Sequence, residues 1–148
     1  MERAVRLAWL PAEGYSFPEV AAVLNSDLEG ARLLGVDYRF KAPVSMEVAQ
    51  LSLECIQPTP TCYAKVGRSL EASRLLWADL AATGEGGRGL KVTLVLFDVD
   101  GGKIVRRSEA AFEGKEAAMT GLDRFVRAAL AGVEPMVAGG PSGVAEPR

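Results

Sequence analysis

Histidine is absent from this chain of 148 residues. That excludes Ser-His-Asp and Cys-His nucleophiles, His-ligated metals and a histidine switch near neutral pH. Cysteine is scarce: only Cys55 and Cys62 occur, too few to hold zinc without histidine. Charge of one sign is lacking too, since 17 basic residues against 19 acidic ones leave −2. No field draws nucleic acid or anionic lipid to such a surface. No apolar run approaches the length of a membrane span. The start, MERAVRLAWLPAEG, does not read as a signal peptide, because Arg3 and Arg6 interrupt it and no apolar stretch precedes a small-residue cleavage site. The chain as written is expected to be soluble, and a leader removed from a longer precursor is compatible with it.

What is there is ordinary globular material: 49% apolar and 24% charged residues, enough for one domain with a core of usual size. Val5 to Leu10 carries apolar residues at both parities and predicts a strand deep in a sheet. Ser16 reads as an N-cap with Glu19 at the capping-box position and Pro18 in the first turn. Phe17, Val20, Ala21, Leu24, Leu28 and Ala31 then form one face of a helix expected to end near Gly35. Tyr38 to Val44 predicts a short strand that Pro43 places at an edge or ends. Ser45 is the next cap, with Val48 and Leu51 as a short buried face. Thr59 and Pro60 open another helix, with Tyr63, Val66 and Leu70 inward.

Leu75 to Ala82 and Leu90 to Val99 predict two strands, the second dense in β-branched and aromatic residues. Asp100-Gly101-Gly102 is a hairpin signal, so Lys103 to Phe112 returns antiparallel to that strand. A last helix runs from about Glu116 to Ala131, with Met119, Leu122, Val126 and Ala129 inward. The expected fold is a single α/β or α+β domain over 1–131. It has a mixed or mainly antiparallel sheet of four to five strands and two to four packed helices. Residues 132–148 read as a flexible Gly/Pro-rich tail.

The segments that invite a chemical reading are better explained by structure. GEGGRG, Gly84 to Gly89, lacks phosphate-loop spacing and reads as a hairpin loop. DVDGG, Asp98 to Gly102, lacks the ligands and closing glutamate of a calcium loop, so Asp98 and Asp100 are expected to face solvent and shape the turn. Asp79 interrupts an apolar strand. Set against Glu109, with Lys91 near, it is the one place where an acid-base pair could form, but a solvent-facing position is the simpler reading. Arg106 and Arg107 alternate onto opposite faces, and Trp9 and Trp77 read as core; exposed, either would be an interface anchor. Two readings of CIQPTPTC stay open: a disulfide across a Pro-held loop, which implies an oxidising compartment, or two reduced, partly buried thiols. No residue is expected to be catalytic, to bind a cofactor or to hold a metal.

After Cys55 and Cys62 come AKVGRSLEASRLLWADL, from Ala64 to Leu80, and TLVLFDVDGGKIVRR, from Thr93 to Arg107. These segments resemble the patterns "IGRxLGA" and "LxDVxxGxxV" of a small α/β domain in bacterial envelope proteins, the TolB N-terminal-like and CsgG/FlgO group of myxobacterial type. The likeness covers residues 4 to 131. It departs at Leu70-Glu71-Ala72, where the group has Leu-Gly-Ala, and in lacking the usual secretion signal. The resemblance implies a non-catalytic interaction or assembly module of an envelope, motility or secretion complex, in the periplasm or alternatively the cytoplasm. Protein partners, or a second copy, would dock on a sheet edge or the tail, without nucleic acid or membrane insertion. The alternative is a small-molecule sensor with its ligand between helices and sheet.

Overall fold

A computed structural model describes residues 4–131. Their order is β1 (Arg6–Trp9), α1 (Pro18–Gly30), β2 (Tyr38–Lys41), α2 (Met46–Ser52), α3 (Pro60–Ser69), β3 (Arg74–Thr83), β4 (Gly89–Asp98), β5 (Lys103–Phe112) and α4 (Lys115–Leu130). A short 3-10 turn at Glu85–Gly87 joins β3 to β4. The strands form one mixed sheet in the order β2-β1-β3-β4-β5. β1 lies parallel to β2 and to β3, while β3, β4 and β5 are antiparallel neighbours. The result is one α+β domain with helices on both sides of the sheet. The expected tail, 132–148, lies outside the described residues.

Strand alternation divides the interior into two cores. Leu76 and Ala78 of β3 and Leu90, Val92, Leu94 and Leu96 of β4 pack with Val20, Leu24 and Leu28 of α1 and Leu122 and Val126 of α4. Leu75 and Trp77 of β3 and Val95 and Phe97 of β4 face the other way, against Met46 and Ala49 of α2 and Ala64 and Val66 of α3. The unbroken apolar run from Leu94 to Phe97 follows, because both faces of β4 are covered along that stretch. Trp9 and Trp77 are both core, as expected. Tyr63 of α3 lies with its ring centre 4.8 Å from that of Trp77 and 5.6 Å from that of Phe97.

Four local expectations are corrected. Phe17, not Ser16, is the N-cap of α1, and no side chain caps it. Gly14 and Phe17 close a turn whose backbone bond (3.1 Å) brings the half-buried Phe17 to the boundary, and the Phe17 carbonyl accepts the first helical bond. The helix ends at Gly30, five residues before Gly35. In α2 the Ser45 hydroxyl accepts from the Val48 N–H as predicted, yet Met46 and Ala49 are buried while Val48 and Leu51 are exposed. This two-turn helix carries two competing apolar pairs, and only the surroundings choose between them. Met119 is also exposed, one position round from the buried stripe of Ala118, Leu122, Val126 and Ala129.

The connection from α2 to α3 is closed by a disulfide between Cys55 and Cys62, whose Cα atoms are 5.6 Å apart. Of the two open readings, the structure has the disulfide. Constraining so short a loop contributes roughly 2.5 kcal/mol in the chain-entropy account. Thr59 caps α3 from its side chain, with Pro60 in the first turn.

The far end of α3 shows what the middle position of Leu70-Glu71-Ala72 demands of its residue. The Ala72 N–H donates to the Gly67 carbonyl (2.9 Å) and the Glu71 N–H to the Arg68 carbonyl (3.0 Å), a Schellman closure that puts the intervening residue in the left-handed region. That residue is Glu71, at φ 57°. Glycine adopts this conformation without the Cβ penalty. Glu71→Gly is therefore expected to raise stability by about 1 kcal/mol, read as a higher urea midpoint. An unchanged or lower midpoint would contradict the strain assigned to Glu71.

Candidate functional site

α2 and α3 cover only one end of their side of the sheet. Beyond Trp77 the same face continues through Asp79 and Ala81 of β3, Lys91 of β4, and Arg107, Glu109 and Ala111 of β5, all exposed. This open half-face lies past the carboxyl end of β1, where the β1–α1 loop and the start of α2 meet. There Glu13 accepts hydrogen bonds from the Tyr15 hydroxyl (2.6 Å) and the Ser45 hydroxyl (2.7 Å), tying the loop to the α2 N-terminus. These two bonds hold the Glu13 carboxyl below the usual glutamate range.

The strand register settles the relation of the sequence-level candidates. Asp79 pairs with Thr93, and Thr93 with Glu109. The two carboxylates share a face but stand two strand spacings apart, roughly 10 Å. They do not form a dyad. Lys91 lies one row away, between Ala81 and Ala111. The carboxylate that does reach Asp79 is Glu47, from the first turn of α2. Burial first, then the charge of Glu47 and a hydrogen bond shared with it, push the pKa of Asp79 up to about 7, while Arg107 opposes the shift. Glu47 carried no signal in the sequence, because its approach depends on how α2 docks.

The area of Asp79 open to solvent is that of an exposed residue even though many atoms surround its corner. Screening by water therefore reduces what the shift means for stability. A carboxyl with a raised folded pKa binds protons more tightly when folded. The stabilisation is complete below about pH 4 and is lost as pH rises through about 7. We expect the domain to lose about 1 kcal/mol over that interval from this group, and Asp79→Asn to remove that slope. Urea melts at several pH values check it; the same slope in both proteins would refute it.

Burial also raises the pKa of Tyr63, with Asp79 adding to the effect. Arg107 and Glu109, two apart on β5, form an ion pair at 3.1 Å. Arg106 points to the other face, where its guanidinium donates to the carbonyls of Ala129 (2.7 Å) and Ala131 (3.3 Å) at the end of α4. The opposite placement of the two arginines is as expected.

DVDGG is a turn, with one correction. Asp98 does not face solvent. Its Oδ1 lies 3.0 Å from Nη1 of the buried Arg74 and accepts from the Gly101 N–H (3.1 Å), and Asp100 stands 3.8 Å from the same guanidinium. Arg74 went unnoticed in the sequence, where it looks like the polar start of a strand. Among the described residues no group of three or more His, Cys, Asp or Glu side chains could hold a metal ion, and no helix is long and apolar enough to cross a membrane.

Two open hollows lie elsewhere. One of about 440 Å³ separates α1 from α4, and one of about 220 Å³ lies beneath the α1–β2 connection. Neither is lined by Asp79, Lys91 or Glu109. The first is lined by Asp27, Arg32, Asp123, Val126 and Arg127 among others. There one Asp27 carboxyl oxygen is buried with no hydrogen-bond partner. Burial, then the charge of Asp123, raises the Asp27 pKa, and Arg127 opposes.

Among the described residues these features define a class: a two-sided α+β domain with an open half-face, a long strand at the sheet edge and carboxyl groups spread over a surface. No known protein-family model matches the chain, and no curated protein does. Among solved structures it is similar to the LpoB C-terminal domain of Salmonella enterica, with 14% identity, 74% of this chain and 83% of that chain covered, and a TM-score of 0.45. It is also similar to TolB of Acinetobacter baumannii, with 13% identity over 88% of this chain and 29% of that one, at 0.49. The lipoprotein GNA1162 of Neisseria meningitidis is 12% identical over 82% and 90% of the two chains, at 0.45.

Proposed function

We propose that this domain is a non-catalytic protein-interaction or assembly module of a bacterial envelope, motility or secretion complex, and that a partner docks on the β5 edge. One observation carries the reading. β5 is ten residues long, and among the described residues it ends the sheet and borders a half-face that no helix covers. An unpaired strand of that length presents a ladder of backbone donors and acceptors to an incoming strand. β2, the other edge, has four residues. The exposed Ile104 and Val105 at the β5 start add apolar contact. The sequence resemblance to the TolB-like and CsgG/FlgO group supports the envelope setting, and the disulfide supports an oxidising compartment such as the periplasm.

The test is photo-crosslinking in the native cells, with a crosslinking amino acid at Val105 and a control at Ala22 on the exposed side of α1. Protein adducts from Val105 and none from Ala22 are the expected result. Equal or absent adducts would overturn the reading. Non-reducing peptide mapping places the module: a Cys55–Cys62 linked peptide fits export, and free thiols move the work to the cytoplasm.

The small-molecule alternative has one observation in its favour, the hollow between α1 and α4 with the unpartnered Asp27 oxygen. A small cation retained through purification and lost in Asp27→Ala would favour it.

A further inference from the structure

The charge sequence along β5 says what its edge fits. From Arg106 to Ala110 the strand reads Arg-Arg-Ser-Glu-Ala, with Lys103 before it and Glu113 after it. Lys103, Arg106 and Arg107 lie in the first half of β5, Glu109 lies in the second, and Glu113 stands just beyond it. An antiparallel partner that reads the same way in reverse sets each half against its complement, and a second copy of β5 is such a partner.

Geometry restricts the register. A two-fold axis normal to the sheet keeps each face on its own side, so residues that meet must have the same parity, and the axis passes through a residue rather than between two. With the axis at Ser108, Arg107 of each copy meets Glu109 of the other, Arg106 meets Ala110, and the Lys103 end approaches the Glu113 end. The neighbouring registers fail. An axis at Arg107 sets that arginine against itself, and an axis at Glu109 does the same with the carboxylate; like charges directly opposite are destabilising. The strand is regular where the pairing needs it. Its register irregularity lies at the Val105 step, where Leu96 pairs with Arg106 and Phe97 with Ile104, outside the stretch from Arg106 to Ala110. Arg107 and Glu109 are both exposed on the open half-face, so the 3.1 Å pair within one copy becomes an alternating cluster of four charges across two.

We propose that the β5 edge takes a second copy of this chain, in the antiparallel register centred on Ser108, joining two five-stranded sheets into one. This deepens the proposed function and rests on its choice of β5 as the docking edge.

Sedimentation equilibrium over a concentration series tests it on the whole chain, with circular dichroism confirming the fold of each variant. The wild type is expected to show a monomer–dimer equilibrium. Arg107→Glu and Glu109→Arg each turn two attractive contacts into repulsive ones and are expected to weaken self-association on the order of thirtyfold. The double variant Arg107→Glu/Glu109→Arg restores opposite charges across the axis and is expected to recover the dimer. A wild type that stays monomeric throughout overturns the inference, as do single variants that dimerise like the wild type or a folded double variant that fails to recover. A monomer whose Val105 still crosslinks to another protein sinks the self-pairing alone and leaves the interaction module standing. A monomer with no Val105 adduct sinks both.

Discussion

Leu94→Asp is expected to abolish cooperative folding. Leu94 sits in the middle of β4 at 1% exposure, between Ala78 of β3 and Ser108 of β5, facing the layer of α1 and α4. Losing its burial costs roughly 1.5–3 kcal/mol, and an unpaired carboxylate in that core adds several more or must be protonated to remain there. A domain of this size has a total stability of about 5–15 kcal/mol. The variant should show no sigmoidal thermal transition by circular dichroism. Leu94→Met conserves volume and should stay within about 1.5 kcal/mol of the wild type, which separates the charge effect from a general intolerance at the site. A cooperative melt of Leu94→Asp near the wild-type temperature would refute the placement of β4 at the centre of the sheet.

The second large effect belongs to Asp98. It is the cross-strand partner of Arg74, and the Arg74 side chain is only 8% exposed. The same carboxylate holds the Gly101 N–H and so fixes the turn between β4 and β5. Asp98→Ala leaves a guanidinium buried at the sheet end with its nearer carboxylate gone, a change that costs about 3 kcal/mol. Asp100, at 3.8 Å and half exposed, offsets part of that. Replacing both partners by leucine should recover most of the loss, since an apolar pair of similar size needs no compensation for desolvated charge. Urea unfolding of Arg74→Leu, Asp98→Leu and the double leucine variant gives the coupling directly. A cost below about 1 kcal/mol for Asp98→Ala would make this a surface pair with no structural weight.

Both effects sit at positions of different legibility. The β4 core was readable because a run of β-branched and aromatic residues followed by Asp-Gly-Gly has few other uses. The role of Asp98 was not, since a turn aspartate next to glycines looks the same whether it faces water or a buried arginine from another strand. The same holds for the open half-face. Asp79 could be picked out as a carboxyl in an apolar strand, but its neighbour there is Glu47 from α2. The partner guessed from the sequence, Glu109, lies beyond Thr93.

Local chemistry set the strands β1, β3, β4 and β5, the hairpin at Gly101-Gly102, the Ser45 and Thr59 caps, and the inward stripe of α1; in α3 it picked Val66, while Tyr63 and Leu70 are only half-buried. Each depends on periodicity or turn chemistry within a few residues, and those forces act before any long-range contact forms. Tertiary structure decided the rest. It chose Met46 and Ala49 over Val48 and Leu51 for burial, turned Met119 outward and bridged the two cysteines. It also set β1 between β2 and β3 and left β5 as the long edge strand among the described residues. These choices compare alternatives of similar local energy, and only the burial of one whole face against another separates them.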